Sequence, residues 1–123
     1  MRRMLWMATF VICAGPGAHT GAKATDAPAL NCDIGPLKRT YGTTAWDVYG
    51  CDDGHSVVAI TAAGSPAMPF YFFFVWGPNG FDLRGEGGGN KSLTDAAFED
   101  LKKLSEADIE ELHREAVAIR KKT

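Results

Sequence analysis

The densest group of chemically versatile side chains in the sequence is Asp52, Asp53 and His55, two carboxylates and an imidazole. Such a group can exchange protons with a substrate or hold a calcium ion. Asp53 is followed by Gly54, however, and this pair is typical of a hairpin turn, while two adjacent carboxylates lack the alternating acidic spacing of a calcium loop. The sequence therefore favours a turn over a reactive centre, and the three residues form only a weak polar cluster.

Cys32 and Cys51 are the second candidate pair. Their 18 intervening residues do not match the C-x-x-C spacing of a redox-active dithiol, and no histidine stands at a metal-ligand spacing from either cysteine. The third cysteine, Cys13, lies in the predicted signal peptide described below and is removed with it. An even pair in an oxidising compartment predicts a structural disulfide between Cys32 and Cys51.

The longer motifs of catalytic and nucleotide-binding sites do not occur in this sequence. Neither G-x-S-x-G nor H-E-x-x-H is found, and both would mark a hydrolytic centre. The glycine-rich segment 85–92 approaches the phosphate-loop pattern G-x-x-x-x-G-K-[ST], but Asn90 stands where the second glycine is required and Glu86 would repel phosphate. The sequence thus predicts no enzyme, no cofactor and no metal site.

The first 24 residues are typical of a secretory signal peptide. Two arginines precede the apolar run 5–14, and an Ala-x-Ala sequence ends at Ala24. We predict cleavage after Ala24, which leaves residues 25–123 as one small exported domain in the periplasm or outside the cell. Ten apolar residues are too few for a membrane-spanning helix, and the isoleucine in front of Cys13 argues against a lipoprotein signal.

Removal of the signal peptide makes the chain acidic. The signal contains three of the 13 basic residues and none of the 15 acidic ones, so 10 basic and 15 acidic residues remain, a net charge of −5. A domain of this charge is not expected to offer a broad basic surface to nucleic acid. An acidic surface instead favours a basic protein partner.

The order of hydrophobic patterns predicts strands first and helices last. We expect strands over 38–41, 45–51, 56–61, 70–76 and 81–84, and a flexible linker over 85–90. Start signals at Ser92 and Ser105 each precede an apolar stripe of helical period. The predicted fold is therefore α+β, with a four- to five-stranded antiparallel sheet, two C-terminal helices packed on one face, and one disulfide.

The strand 70–76, with the sequence FYFFFVW, is apolar on both faces. Such a strand is expected inside the sheet, with helices over one face and a further cover over the other. Simple burial is our expectation for the second face, because an exposed strand of this kind promotes aggregation. The lead-in held by Cys32, a second copy of the chain in a homodimer, or a ligand would each provide the cover.

The hairpin tip that follows this strand is the candidate partner-binding site. Its residues Trp76, Pro78, Asn79 and Phe81 place two aromatic side chains around a tight turn. Rigid loops that carry aromatic residues often provide much of the binding energy of a protein interface.

These features together favour a small exported binding or inhibitor-type protein without catalytic activity of its own. One alternative is a structural or accessory subunit of a cell-envelope assembly that docks through the strand 70–76. Another is a small hydrolase, with either the polar cluster or Glu86, Asn90 and Lys91 as its polar centre.

The cleavage prediction is tested by N-terminal sequencing and intact mass of the protein recovered from the envelope or medium of a producing cell. We expect Thr25 at the N-terminus, because small residues precede the bond as signal peptidases require. A product that begins at Cys13 and carries acyl chains would contradict this prediction, as would one that retains Met1.

Overall fold

The computed structural model describes residues 30–122, and the predicted signal peptide 1–24 lies outside them. The elements along the chain are β1 (Ile34–Tyr41), β2 (Thr44–Gly50), β3 (Val57–Thr61), β4 (Phe70–Gly77), β5 (Gly80–Gly87), α1 (Lys91–Leu101) and α2 (Glu106–Lys122). The predicted α+β fold is confirmed, with five strands. Within the described residues, neither helix combines the length and the apolar content that crossing a membrane requires.

The five strands form one antiparallel sheet in chain order, β1-β2-β3-β4-β5. Two tight hairpins lie at opposite ends of the sheet. One joins β1 to β2, with Tyr41 paired to Thr44, and the other joins β4 to β5, with Gly77 paired to Gly80. The backbone between Tyr41 and Thr44 has positive φ at both turn residues, 57° at Gly42 and 72° at Thr43, as two-residue hairpins require for a right-handed twist.

The core lies between one face of this sheet and the two helices. Trp46 and Phe72 are almost completely buried at its centre, with ring centroids 5.3 Å apart. Trp46 Nε1 donates to Thr44 Oγ1 at 3.0 Å and to the Tyr41 carbonyl at 3.2 Å, so the polar atom of the indole is satisfied inside the core. The buried apolar residues of the helices are Ala97, Leu101, Ile109, Leu112 and Ala116.

Strands β1 and β5 are longer than the sequence indicated. β1 begins at Ile34, and an irregularity between Ile34 and Leu37 breaks the alternation by which the strand would be recognised. β5 continues through Gly87, so half of the predicted flexible linker pairs with β4. A Cβ at Gly85 would lie 2.8 Å from a ring carbon of Phe72. This glycine therefore makes room for a neighbouring ring rather than providing flexibility.

The two helices begin differently. Ser105 and Asp108 exchange the predicted capping bonds at α2: the Ser105 N–H donates to Asp108 Oδ2 at 2.9 Å, and the Asp108 N–H donates to Ser105 Oγ at 3.1 Å. At α1 the N-cap is Asn90 rather than Ser92, because the Asn90 side chain accepts from the N–H groups of Ser92 and Leu93. Asparagine caps a helix as well as serine does.

His113 occupies an environment that the sequence did not predict. The sequence places this residue off the apolar stripe of α2 and indicates a surface or boundary position, but only 7% of it is exposed. Its Nε2 lies 2.9 Å from the Cys51 carbonyl oxygen, and a Cβ at Gly50 would lie 2.9 Å from its ring. The imidazole therefore ties α2 to the end of β2.

Cys32 and Cys51 form the predicted disulfide, which joins the segment before β1 to the residue after β2. Asp52 adds two hydrogen bonds to the same segment: its N–H donates to the Asn31 carbonyl at 2.9 Å, and its Oδ1 accepts from the Asn31 N–H at 3.2 Å. The disulfide and these bonds together fix the lead-in to the first hairpin.

Replacement of both cysteines, Cys32→Ala with Cys51→Ala, should lower the free energy of unfolding by about 3 kcal/mol, because the unfolded chain regains the entropy of a loop of about 20 residues. Urea unfolding measures the difference. Reductant should destabilise the wild type by a similar amount and leave the double variant unchanged. A double variant as stable as the oxidised wild type would contradict the prediction.

Candidate functional site

Two groups of residues identified from the sequence, the polar turn and the hairpin tip, lie side by side at one end of the sheet. Successive turns of an antiparallel meander alternate between its two ends, so the β2–β3 and β4–β5 connections share an end. The His55 ring stacks on Trp76 with centroids 4.4 Å apart and 20° between the planes, and Phe81 lies 5.0 Å from Trp76 at 60°. We call His55, Trp76 and Phe81 the tip cluster.

The tip cluster combines an exposed ring with an anchored one. Trp76 is 37% exposed, and Pro78 and Asn79 are exposed beside it. Phe81 is half-buried and meets the core residue Phe74 edge-on, with centroids 6.5 Å apart. The rings of His55 and Phe81 thus restrict the orientation of an indole that reaches solvent.

Two carboxylates from the first turns of α2 lie next to this cluster. Glu110 Oε2 is 3.0 Å from His55 Nδ1, and a Cβ at Gly80 would lie 2.6 Å from Glu106 Oε2. Glu106 is exposed, whereas Glu110 is half-buried at its contact with His55. Their four-residue spacing puts them on one side of α2, which is the signal by which sequence reasoning could have grouped them.

Asp53 holds the polar turn in shape. Its Oδ1 accepts from the N–H groups of His55 at 2.9 Å and Ser56 at 2.7 Å, and its Oδ2 accepts from the Ser56 hydroxyl at 2.6 Å. Ser56 Oγ accepts in turn from the Trp76 N–H at 2.9 Å. Through Ser56, Asp53 therefore supports the strand that carries the tip.

The same hydrogen bonds determine the acidity of Asp53. Burial raises the pKa of this carboxyl, but the hydrogen bonds from Ser56 and from the backbone of His55, together with the positive charge of His55, outweigh burial. The pKa of Asp53 is consequently held below its usual value.

The polar cluster does not converge on one point. Asp52 bonds to Asn31, Asp53 bonds to Ser56 and the turn backbone, and His55 bonds to Glu110. Within residues 30–122, His, Cys, Asp and Glu side chains form no group of three that could hold a metal ion.

The residues of the glycine-rich segment are also separated. Asn90 caps α1, Lys91 Nζ bonds to the Asp95 carboxylate at 3.1 Å, and Glu86 is exposed on β5. Asn90 and Lys91 therefore make separate local contacts at the start of α1, and Glu86 lies on the preceding strand.

The second face of β4 is uncovered within the described residues. Both helices pack on the opposite face, where the core lies. On that second face Ile60 and Tyr71 are each 39% exposed, Phe73 is half-buried and Val58 is only 8% exposed, so the burial that the sequence led us to expect is incomplete. The strand registers place six residues in the apolar middle of this side, which we call the open face: Tyr49, Val58, Ile60, Tyr71, Phe73 and Val75.

The chain matches no protein-family model, no curated protein and no solved structure.

Removal of the Asp53 carboxylate by Asp53→Ala should lower the free energy of unfolding by about 1–2 kcal/mol near neutral pH, because two N–H groups and one hydroxyl lose their acceptor. The pKa of Asp53 is lower in the folded state, so its charged form stabilises the fold above the pKa of the unfolded chain, about 3.9. The difference between wild type and variant should shrink as the pH falls below that value.

Urea unfolding at a series of pH values measures both effects. Asp82→Asn, which removes the charge of an exposed carboxylate paired with Arg84, is the control and should change stability little. A difference between wild type and Asp53→Ala that stays constant down to acid pH would contradict the proposed role of the carboxylate.

Proposed function

We propose that this protein is an exported binding protein, of the inhibitor type, that recognises a protein partner through its hairpin tip and has no catalytic activity of its own. The observation that carries the proposal is the Trp76 ring, which is 37% exposed and yet stacked on His55 at 4.4 Å. An exposed indole in a restricted orientation is a typical anchor of a protein interface.

The restricted orientation matters for affinity. A side chain that is free in solution loses rotamer entropy when a partner immobilises it, at a cost of about 0.5–1.5 kcal/mol. Trp76 already contacts His55 and Phe81, so a large part of that loss occurs when the protein folds. Pro78 at the turn limits the backbone in the same way.

The charge around the tip favours a basic partner. Glu106 lies against Gly80, and Glu110 contacts His55, so two carboxylates adjoin the exposed indole. With a net charge of −5 for residues 25–123, the protein would attract a cationic surface over a distance and accelerate association. A lysine or arginine of the partner fits a contact made of an aromatic ring and carboxylates.

The proposed location is the periplasm or the cell exterior. The disulfide between Cys32 and Cys51 supports it, because such bonds persist mainly in oxidising compartments. The signal peptide predicted from residues 1–24 is the route of export in this proposal.

A second candidate function is that of an accessory subunit in a cell-envelope assembly. The observation that favours it is the open face, where the paired residues Ile60 and Tyr71 are each 39% exposed, since exposed apolar patches are commonly sites of protein association.

The tip is tested by immobilising the protein, identifying what it captures from the envelope or medium of the producing cell, and titrating the purified partner against variants. Trp76→Ala should weaken binding at least about 30-fold, the effect of losing an interface anchor, and Asn79→Ala should weaken it as well. Higher salt should slow association, because the attraction is electrostatic.

Phe98→Ala is the matched control, since Phe98 is also 37% exposed but lies on α1, and it should bind as the wild type does. Unchanged affinity of folded Trp76→Ala and Asn79→Ala would reject the tip. A hydrolase activity that disappears in His55→Ala or Glu86→Gln would contradict the absence of catalysis.

A further inference from the structure

We propose that a cavity between β5 and the corner where α1 meets α2 receives a lysine or arginine side chain of the protein partner. The inference rests on the function proposed above, because it names the chemistry of the partner at the same end of the molecule. Three features carry it: the apolar walls of the cavity, an unpaired carboxylate at its mouth, and a wall that the cavity shares with the tip cluster.

The cavity lies on the helix side of the sheet, at the β5 edge, where the helices cover the sheet least. α2 packs mainly against β1 and β2, and α1 packs against β1, so the inward side chains of β5 are only half-buried. The space that remains is about 240 Å³, whereas a single water needs only about 10–15 Å³. Its apolar walls are formed by Phe74, Phe81, Leu83, Leu101, Leu104 and Ile109.

Glu106 lies at the mouth of this cavity with an unpaired charge. Its side chain is exposed and makes no hydrogen bond or ion pair within residues 30–122. Gly80 lets the carboxylate lie against the tip, because a Cβ there would be 2.6 Å from Glu106 Oε2. Asn79 also lines the cavity, and its side-chain oxygen can accept a hydrogen bond from a cation.

Lys102 is the cation among the lining residues, but its ammonium group is engaged elsewhere. Its Nζ lies 3.1 Å from Glu99 Oε1 and 5.5 Å from the centre of the Phe98 ring. Both of these partners are on α1, outside the cavity lining. The charge at the mouth is therefore that of Glu106, and it repels an anion.

A cavity with apolar walls and an acidic mouth fits a side chain with an apolar stem and a cationic head. Lysine and arginine pack their methylene stems against apolar surfaces while the charged group stays in a polar environment. A neutral apolar side chain would contact the walls and leave the carboxylate unpaired, and an anionic side chain would be repelled by it. The observations thus favour a cationic side chain over the other two classes.

Phe81 connects the cavity to the tip cluster. Its ring forms one wall of the cavity, and the same ring lies 5.0 Å from Trp76. A partner that packs on the exposed indole would therefore have its neighbouring side chains within reach of the cavity. The two contacts belong to one interface, in which Trp76 is the anchor and Glu106 selects the charge.

Titration with small probes, followed by nuclear magnetic resonance of the isotope-labelled protein, tests the cavity directly. The probes are n-pentylammonium for a lysine side chain, n-butylguanidinium for an arginine side chain, and n-pentanol and n-pentanoate as neutral and anionic controls. At millimolar concentration the cations should shift the methyl signals of Leu83, Leu104 and Ile109. They should bind about fivefold more tightly than n-pentanol, the effect of one exposed ion pair, and n-pentanoate should bind most weakly. The tighter cation distinguishes lysine from arginine.

Two variants separate the carboxylate from the walls. Glu106→Gln should remove the preference for the cations, so that they bind no more tightly than n-pentanol. Glu111→Gln is the matched control, because Glu111 lies on the same helix but pairs with Arg114 outside the cavity lining, and it should keep the preference. Leu83→Phe places a larger side chain in the cavity and should weaken all probes alike, with the spectrum showing that the fold is kept.

The partner purified in the capture experiment above distinguishes this inference from the proposed function. Glu106→Gln should weaken its binding about fivefold, and Glu111→Gln should leave it unchanged. If Trp76→Ala weakens binding but folded Glu106→Gln and Leu83→Phe do not, the inference is wrong and the tip still binds the partner.

The probes give further outcomes that decide the inference. Cations that shift none of the cavity signals, or that bind no more tightly than n-pentanol to the wild type, overturn it. Cations that bind as expected, when the capture experiment yields no partner, support the cationic site and reject only the function proposed above.

Discussion

The packing of α1 and α2 against the sheet face that carries Trp46 and Phe72 is the contact on which the rest of the structure depends. It buries Trp46 and Phe72, and the indole N–H of Trp46 finds its acceptors, Thr44 Oγ1 and the Tyr41 carbonyl, within the sheet. The helices follow all five strands in the sequence, and two helices cover one face of a sheet about 20 Å wide. They leave the second face of the same strands without cover within residues 30–122.

The strand β4 therefore has two different roles. Phe72 and Phe74 point into the core, whereas Tyr71 and Phe73 alternate with them on the open face. Alternation along a strand makes this division unavoidable. A chain with so many aromatic residues in one strand either covers both faces or presents one of them to a partner.

The meander topology and the position of α2 create the tip cluster. Alternate turns lie at the same end of the sheet, which brings His55 next to Trp76, and α2 begins close enough to add Glu106 and Glu110. His113 fixes α2 against Cys51, beside the disulfide, so the anchor of the first hairpin also positions the helix that carries these carboxylates. The contacts that stabilise the fold, the disulfide and His113, are thus connected through α2 to the proposed binding residues.

The sequence alone determined the fold class, the disulfide, the hairpin tip and the start of α2, because each depends on local patterns: alternation, cysteine parity, turn residues and a capping pair. It did not indicate the length of β5, since glycines that accommodate the rings of Phe70 and Phe72 resemble a linker. It also missed Asn90 as the cap of α1 and the buried contact of His113.

Only the tertiary structure decided which candidate residues meet. Asp53 and Trp76 are linked through Ser56, and Glu110 lies beside His55 across 55 positions of the chain. It also decided that the second face of β4 is uncovered in the described domain. The physical reason is that periodicity shows which side chains share a face of an element, whereas the neighbours of that face depend on how distant elements pack.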